Sequence, residues 1–202
     1  MTVTALRPTA PERVTLVLAD GREIPTTLGI VTELRLFAGK NLEEAQLELV
    51  RRKTSAAFAR DRGLELLSRR PYARKELRDR LLQKGFDAAA AESALGWLEE
   101  HGYLDDSRYA GAVVRHYAAK GYGAGRIRAE LSKRGIARDL REDALREMPE
   151  MEDAIDRFVR TRLKDPGDRD ELRRLSASLA RRGFGWDEIR DAISRAIQGT
   201  ED

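Results

Sequence analysis

Lys75-Glu76-Leu77-Arg78-Asp79-Arg80-Leu81-Leu82-Gln83-Lys84-Gly85-Phe86 returns twice further down the chain. The second copy is Arg126-Ile127-Arg128-Ala129-Glu130-Leu131-Ser132-Lys133-Arg134-Gly135-Ile136. The third is Arg174-Leu175-Ser176-Ala177-Ser178-Leu179-Ala180-Arg181-Arg182-Gly183-Phe184. Leu77, Ile127 and Leu175 align, and so do Leu81, Leu131 and Leu179. Residues four apart share one helix face, so each copy predicts a short amphipathic helix. Each ends on a basic residue and a glycine: Lys84-Gly85, Arg134-Gly135, Arg182-Gly183. The glycine supplies the left-handed backbone of a helix C-cap, and the basic residue faces the negative end of the dipole. Phe86, Ile136 and Phe184 are placed to fold back on the helix, as in a Schellman motif.

Working outward, Ala94-Leu95, Ala144-Leu145 and Ala192-Ile193 follow their glycines at matching distances and mark a further helix in each copy. A helix also precedes each copy, at about 55–69, 106–119 and 151–163. One such unit buries little alone, so neighbours are expected to stack. The expected fold is mainly α: three tandem three-helix repeats in an elongated curved array, preceded by a small N-terminal β element. The expected bounds are 1–40 for the β element, then 41–103, 104–149 and 150–202 for the repeats.

Within 1–40, Val14–Leu18 and Glu23–Thr27 read as a hairpin turning at Asp20-Gly21, with Pro25 marking an edge. Ile30–Phe37 reads as a third strand. Asn41 reads as the N-cap of a long helix over about Glu43–Arg69, with Gly63 a weak point, broken at Arg70-Pro71.

The chain has 202 residues, no cysteine and two histidines, His101 and His116. Disulfides and thiolate metal sites are excluded, and a zinc site would need carboxylates for most of its ligands. No cofactor or metal is expected. Nothing in Met1–Arg13 resembles a signal peptide, and no run of about 18 apolar residues exists, so a cytoplasmic protein with no membrane role is expected. The formal net charge is +3. Residues 104–149 carry ten basic against seven acidic side chains, and 150–202 carry eleven against thirteen. That is a weak signal for a dedicated nucleic-acid binder.

Three features could carry chemistry. Asp105-Asp106 could do acid–base or metal work, but Asp where a helix begins reads first as a cap. Lys120-Gly121-Tyr122-Gly123-Ala124-Gly125-Arg126 could cradle phosphate. A phosphate loop follows a strand, however, and this one follows a helix, so a tight inter-helix turn is favoured. An anion near the next helix start, assisted by Lys120 and Arg126, stays open. Third, basic residues recur on the second helix of each repeat: Arg74, Lys75, Arg78; Arg126, Arg128, Lys133, Arg134; Arg173, Arg174, Arg181, Arg182. They form either a solvated face or a stripe for DNA phosphate or acidic protein. Trp97 and Trp186 read as packing residues. No nucleophile–base pair or nucleotide fingerprint is present, so a non-enzymatic binding protein is expected.

The chain also resembles the RecX family. The resemblance lies in Arg74-Lys75-Glu76-Leu77-Arg78, Leu82-Gln83-Lys84-Gly85-Phe86, Leu98-Glu99-Glu100-His101-Gly102-Tyr103-Leu104-Asp105-Asp106, Arg108-Tyr109-Ala110, Lys120-Gly121-Tyr122-Gly123, Ile127-Arg128-Ala129-Glu130-Leu131 and Lys133-Arg134-Gly135-Ile136. It is strong over about 55–148. It weakens in the third repeat, where Asp165-Pro166-Gly167-Asp168 alters the entry to the second helix, and Tyr109 stands where the family often has Phe. The resemblance implies three tandem three-helix units that bind along the RecA filament groove and restrain its ATPase, strand exchange and co-protease activities, with DNA binding secondary. It implies a RecA filament as partner and single- or double-stranded DNA as a further one; a monomer is expected. Contact candidates are the basic residues above with Lys84, Arg108, Tyr109, Arg115, Lys120 and Tyr122. A helix-turn-helix-like DNA-binding or transcriptional regulatory protein is the alternative; a hydrolase using Asp105 and Asp106 is remote.

Overall fold

The computed structural model describes residues 1–198. Strands β1 (Val3–Ala10), β2 (Arg13–Leu18) and β3 (Glu23–Thr27) form one antiparallel sheet in that order. Ten helices follow among the described residues: α1 (Leu28–Glu33), α2 (Glu44–Arg69), α3 (Arg74–Gln83), α4 (Ala88–Glu100), α5 (Asp106–Ala119), α6 (Ala124–Lys133), α7 (Arg138–Arg146), α8 (Glu152–Arg162), α9 (Arg169–Arg181) and α10 (Trp186–Gln198). The chain packs as two compact units. One holds Met1–Tyr72 and Glu76–Leu104; the other holds Ala73–Lys75 and the described residues from Asp105 to Gln198.

In the first unit the Asp20-Gly21 hairpin is present. The Leu18 N–H donates to the Arg22 carbonyl (2.9 Å), and Gly21 sits at φ +83°. Val14, Leu16 and Leu18 alternate inward, as a half-buried strand requires, and Pro25 lies on the edge strand, where its missing N–H costs no ladder bond. The third strand is not Ile30–Phe37. Thr27 caps a helix there, its Oγ1 accepting the Ile30 N–H (3.3 Å), and consecutive Ile30 and Val31 are both buried, which a strand with one buried face does not allow. The third strand is Val3–Ala10, paired with β2 at Leu6↔Leu16 and Pro8↔Val14.

Asn41 is not the cap of α2 either. Its Oδ1 takes the Met1 amino group (2.9 Å), and Glu43 begins the helix, with Gln46 Oε1 accepting its N–H (2.9 Å). Nor is Gly63 a weak point. The helix runs through it unbroken, and a Cβ there would lie 2.7 Å from Leu98 Cδ1, so this glycine lets α2 and α4 approach closely.

The three quoted copies are α3, α6 and α9. In each, the glycine adopts positive φ (+91°, +81°, +91°). Its N–H returns to the carbonyl three back, and the next residue's N–H returns five back: Phe86 to Leu81, Ile136 to Leu131, Phe184 to Leu179. That is the Schellman pattern. Leu77, Leu81, Ile127, Leu131, Leu175 and Leu179 are all buried, each contributing about 1.5–3 kcal/mol of burial. Ala94, Ala144 and Ala192 are buried on α4, α7 and α10.

Candidate interaction surface

The local features resolve first. Asp105 is the N-cap of α5, accepting the Arg108 N–H (2.9 Å). Asp106 reaches instead to the start of α3, where its Oδ1 accepts the Arg74 N–H (2.7 Å). Both carboxylates are therefore caps. Burial is the main cause that moves the Asp106 pKa above its ordinary value, against the pull of the Arg74 N–H and charge. Among the described residues no group of three or more His, Asp or Glu could hold a metal ion. No helix among them is long and apolar enough to cross a membrane.

The glycine-rich turn is occupied by the protein itself. The N–H of Gly123 donates to the Arg182 carbonyl and that of Gly125 to the Gly183 carbonyl, both at 2.9 Å. The C-terminal end of α9 thus sits on the N-terminal turn of α6. Helix dipoles meet head to tail, and two of the amides a phosphate would need are already used. The fit requires glycine: a Cβ on Gly123 would lie 2.5 Å from the Gly183 oxygen. Close approach of two backbones explains this motif, and nothing local in the sequence names its partner. The end of α6 repeats the theme against Lys75, whose Cβ lies 2.8 Å from where a Gly135 side chain would start.

The basic candidates separate into two sets. Arg78 pairs with Glu92 (2.6 Å) and Arg128 with Glu142 (2.8 Å), each pair joining a repeat's second and third helices. Hydrogen bonding to Arg128 lowers the Glu142 pKa, and that to Glu142 raises the Arg128 pKa. Both pairs are fourteen residues apart in the sequence. Aligning the copies would have revealed them; the third copy has Ser176 and Arg190 at those positions. Arg134 donates to Glu130 (2.8 Å) and to the Tyr109 hydroxyl. Burial pushes the Glu130 pKa up, and Arg134, with Tyr117 and Lys133, more than offsets it, leaving Glu130 below its ordinary value. Arg182 donates to the Gly121 carbonyl (3.3 Å) and lies over the Tyr122 and Phe158 rings. Arg173 and Arg174 pair with Asp170 and Asp168. The N–H of Arg74 is held by Asp106, and the Lys75 stem lies against Gly135. These cations have partners within the chain, and the Arg173 and Arg174 pairs are largely exposed.

The second set is exposed and makes no close ion pair among the described residues: Lys84, Arg108, Arg115, Lys120, Arg126, Lys133 and Arg181; Lys84 and Lys133 act at longer range on Glu65 and Glu130. Arg108 and Arg115 are seven apart on α5, as are Arg126 and Lys133 on α6, so each pair shares a helix face. Arg126, Arg128 and Arg181 border an open groove of about 530 Å³ floored by Ala124, Ala129 and Ala180.

Two aromatic candidates sit differently from expectation. Tyr109 is buried, with only 8% of its surface exposed, and Tyr122 is half-buried beside Tyr117. Neither offers a free ring. Trp186, expected to pack, is 70% exposed at the start of α10. Trp97 does pack, stacking with His101 (3.9 Å between centroids) beneath Arg60.

With this geometry in view, comparison with known proteins is informative. The family described as "RecX, first three-helix domain" matches residues 59–98, and "RecX, second three-helix domain" matches 105–145. A protein named regulatory protein RecX from Vibrio vulnificus (strain CMCP6) is 36% identical over 141 residues, covering 67% of this chain and 90% of the relative. The chain belongs to the RecX family. A RecX protein of Xanthomonas axonopodis pv. citri (strain 306) is 42% identical over 135 residues, 65% of this chain and 83% of the relative. The fold agrees with a crystal structure of a regulatory protein RecX at TM-score 0.78 and 22% identity, covering 94% of this chain and 98% of that one. RecX from Lactobacillus salivarius aligns at TM-score 0.65 and 22% identity, over 71% and 97%. The RecX relatives are named regulatory proteins, and the chain has a regulatory role of that kind.

Proposed function

We propose that this chain is a negative regulator of the RecA recombinase, binding the RecA–DNA filament and restraining its ATPase, strand exchange and co-protease activities. The processes concerned are recombination, DNA repair and the SOS response, in the cytoplasm, with the chain acting as a monomer and without catalysis of its own. The functional modules are 41–103, 104–149 and 150–202, with 1–40 a separate β element.

One observation carries the reading: the C-terminal ends of α3, α6 and α9 each display an exposed cation without a close ion pair. Lys133 and Arg181 both stand two residues before their glycines, exposed and free of close ion pairs; at the first copy Lys84 stands one before. A series of weak contacts on successive filament subunits combines as avidity, so no single deep pocket is needed. Free cations can meet acidic protein surface or DNA phosphate, and their contribution should fall steeply with salt.

The test is the ATPase rate of RecA on single-stranded DNA, titrated with this protein. Inhibition is expected. Inhibition well below one protein per RecA indicates capping or disassembly; inhibition only near saturation indicates groove occupancy. An unchanged rate with folded protein overturns the reading.

A further inference from the structure

The three Schellman ends have the same design and different fates. The α9 end, Arg182-Gly183-Phe184, holds the start of α6 through the two carbonyl bonds described above, and Phe184 is 7% exposed. The α6 end, Arg134-Gly135-Ile136, packs on Lys75, and Ile136 is 3% exposed. The α3 end, Lys84-Gly85-Phe86, carries no other helix start among the described residues. No atom lies within 4 Å of a Cβ built on Gly85, Lys84 and Gly85 are exposed, and Phe86 is only half-buried. An interface formed within the chain therefore has one unfilled counterpart.

We infer that the Lys84-Gly85-Phe86 end of α3 is a docking surface for the first turn of a helix in the partner protein. The occupant's chemistry follows from the filled case. It has glycine or alanine at the N-cap and two residues later, so that its amides can reach the carbonyls of Lys84 and Gly85 as Gly123 and Gly125 reach those of Arg182 and Gly183. Its preceding turn offers a carbonyl to Lys84, as Gly121 does to Arg182. The negative end of α3 complements the positive start of such a helix.

A second copy of this chain does not fit. Its Gly123–Gly125 turn is filled by its own α9. Its other described helices lack glycine or alanine at one of the two positions or both: α3 has Ala73 and Lys75, α7 has Ala137 and Asp139, α10 has Gly185 and Asp187, and α9 has Glu171 at the position equivalent to Gly123, that carboxylate accepting the N–H groups of Lys164 and Asp165 (both 3.0 Å). The partner's identity rests on the filament reading proposed above; the docking end itself rests on the internal comparison.

The chain has no cysteine, so a single cysteine can carry a probe. Full-length Lys84→Cys bearing a benzophenone is irradiated with RecA filaments on single-stranded DNA, beside Arg115→Cys labelled the same way. A crosslink from position 84 to the first turn of a RecA helix with glycine or alanine at its start is expected. Independently, Lys84→Trp, a plug at an exposed position, should weaken filament binding about tenfold with only a small change in the chain's own melting. Crosslinks from position 84 to a strand, to mid-helix, to DNA or to a second copy overturn the inference. So does silence at 84 while position 115 crosslinks, or full affinity in Lys84→Trp. If neither position crosslinks and the unlabelled protein leaves the RecA ATPase unchanged, the filament reading fails and takes this inference with it.

Discussion

Lys84-Gly85-Phe86 and Arg182-Gly183-Phe184 are nearly the same tripeptide closing nearly the same helix, yet the first stands open and the second is locked against another helix. The local chemistry is shared: a basic residue, a glycine at φ +91° and an apolar residue folded back onto the turn. The difference is tertiary. Gly183 has backbone on its other side and Gly85 has none. One short sequence can therefore serve both as a helix stop and as a joint, and its surroundings decide which.

The largest effect should come from placing alanine at each of these glycines. Gly85→Ala carries only the strain of an L side chain at positive φ, about 1–2 kcal/mol. Gly183→Ala carries the same strain and also drives its methyl into the Arg126 backbone, so a loss of about 3 kcal/mol or more is expected. Denaturant midpoints measure both; equal losses would erase the distinction between stop and joint. Next comes the cap. Asp106→Ala leaves the Arg74 N–H without its partner and should cost about 1–2 kcal/mol in the same assay. Asp106→Asn keeps an acceptor and removes the charge. Because burial raises the native Asp106 pKa, the folded state holds this proton more tightly than the unfolded chain does. Wild type should therefore lose stability relative to Asp106→Asn as the pH climbs from 3.8 through the raised native value. A flat difference between the two profiles would show that Asp106 is not desolvated. The smallest effect belongs to the ion pairs. A double-mutant cycle on Arg128 and Glu142 should give a coupling well below the cap effect, because the pair is largely exposed and salt screens it.

What was legible in the sequence divides along the same line. The repeat, the three glycine stops, the Asp105 cap and the Asp20-Gly21 hairpin depend on residues within a few positions of one another, and all are present. The segment Ile30–Phe37 reads as a strand because a short apolar run fits strand and helix alike; Thr27, outside the run, makes its start a helix. Gly63, Gly123 and Gly125 were visible as glycines but not as points of close approach, since Leu98 and Gly183 lie far along the chain. Of the contact candidates, charge alone could not separate Arg78, Arg128, Arg134 and Arg182, which have close partners within the chain, from Lys84, Lys133 and Arg181, which make no close ion pair among the described residues. Trp186 broke the rule that large aromatics pack because it sits at the first turn of its helix, facing water.

The most direct test of the account is binding to RecA filaments on single-stranded DNA by wild type and by Lys84→Glu/Lys133→Glu/Arg181→Glu, at low and at high salt. None of the three side chains makes a close ion pair among the described residues, but Lys84 and Lys133 lie near Glu65 and Glu130 and all three face a helix C-terminus, so the variant should melt somewhat lower than wild type and binding is compared well below its transition. The account expects its binding to fall at least tenfold at low salt, with a shallower salt dependence than wild type. A folded variant that binds as tightly as wild type, with an unchanged salt slope, would contradict the claim that the repeated free cations hold this protein to the filament.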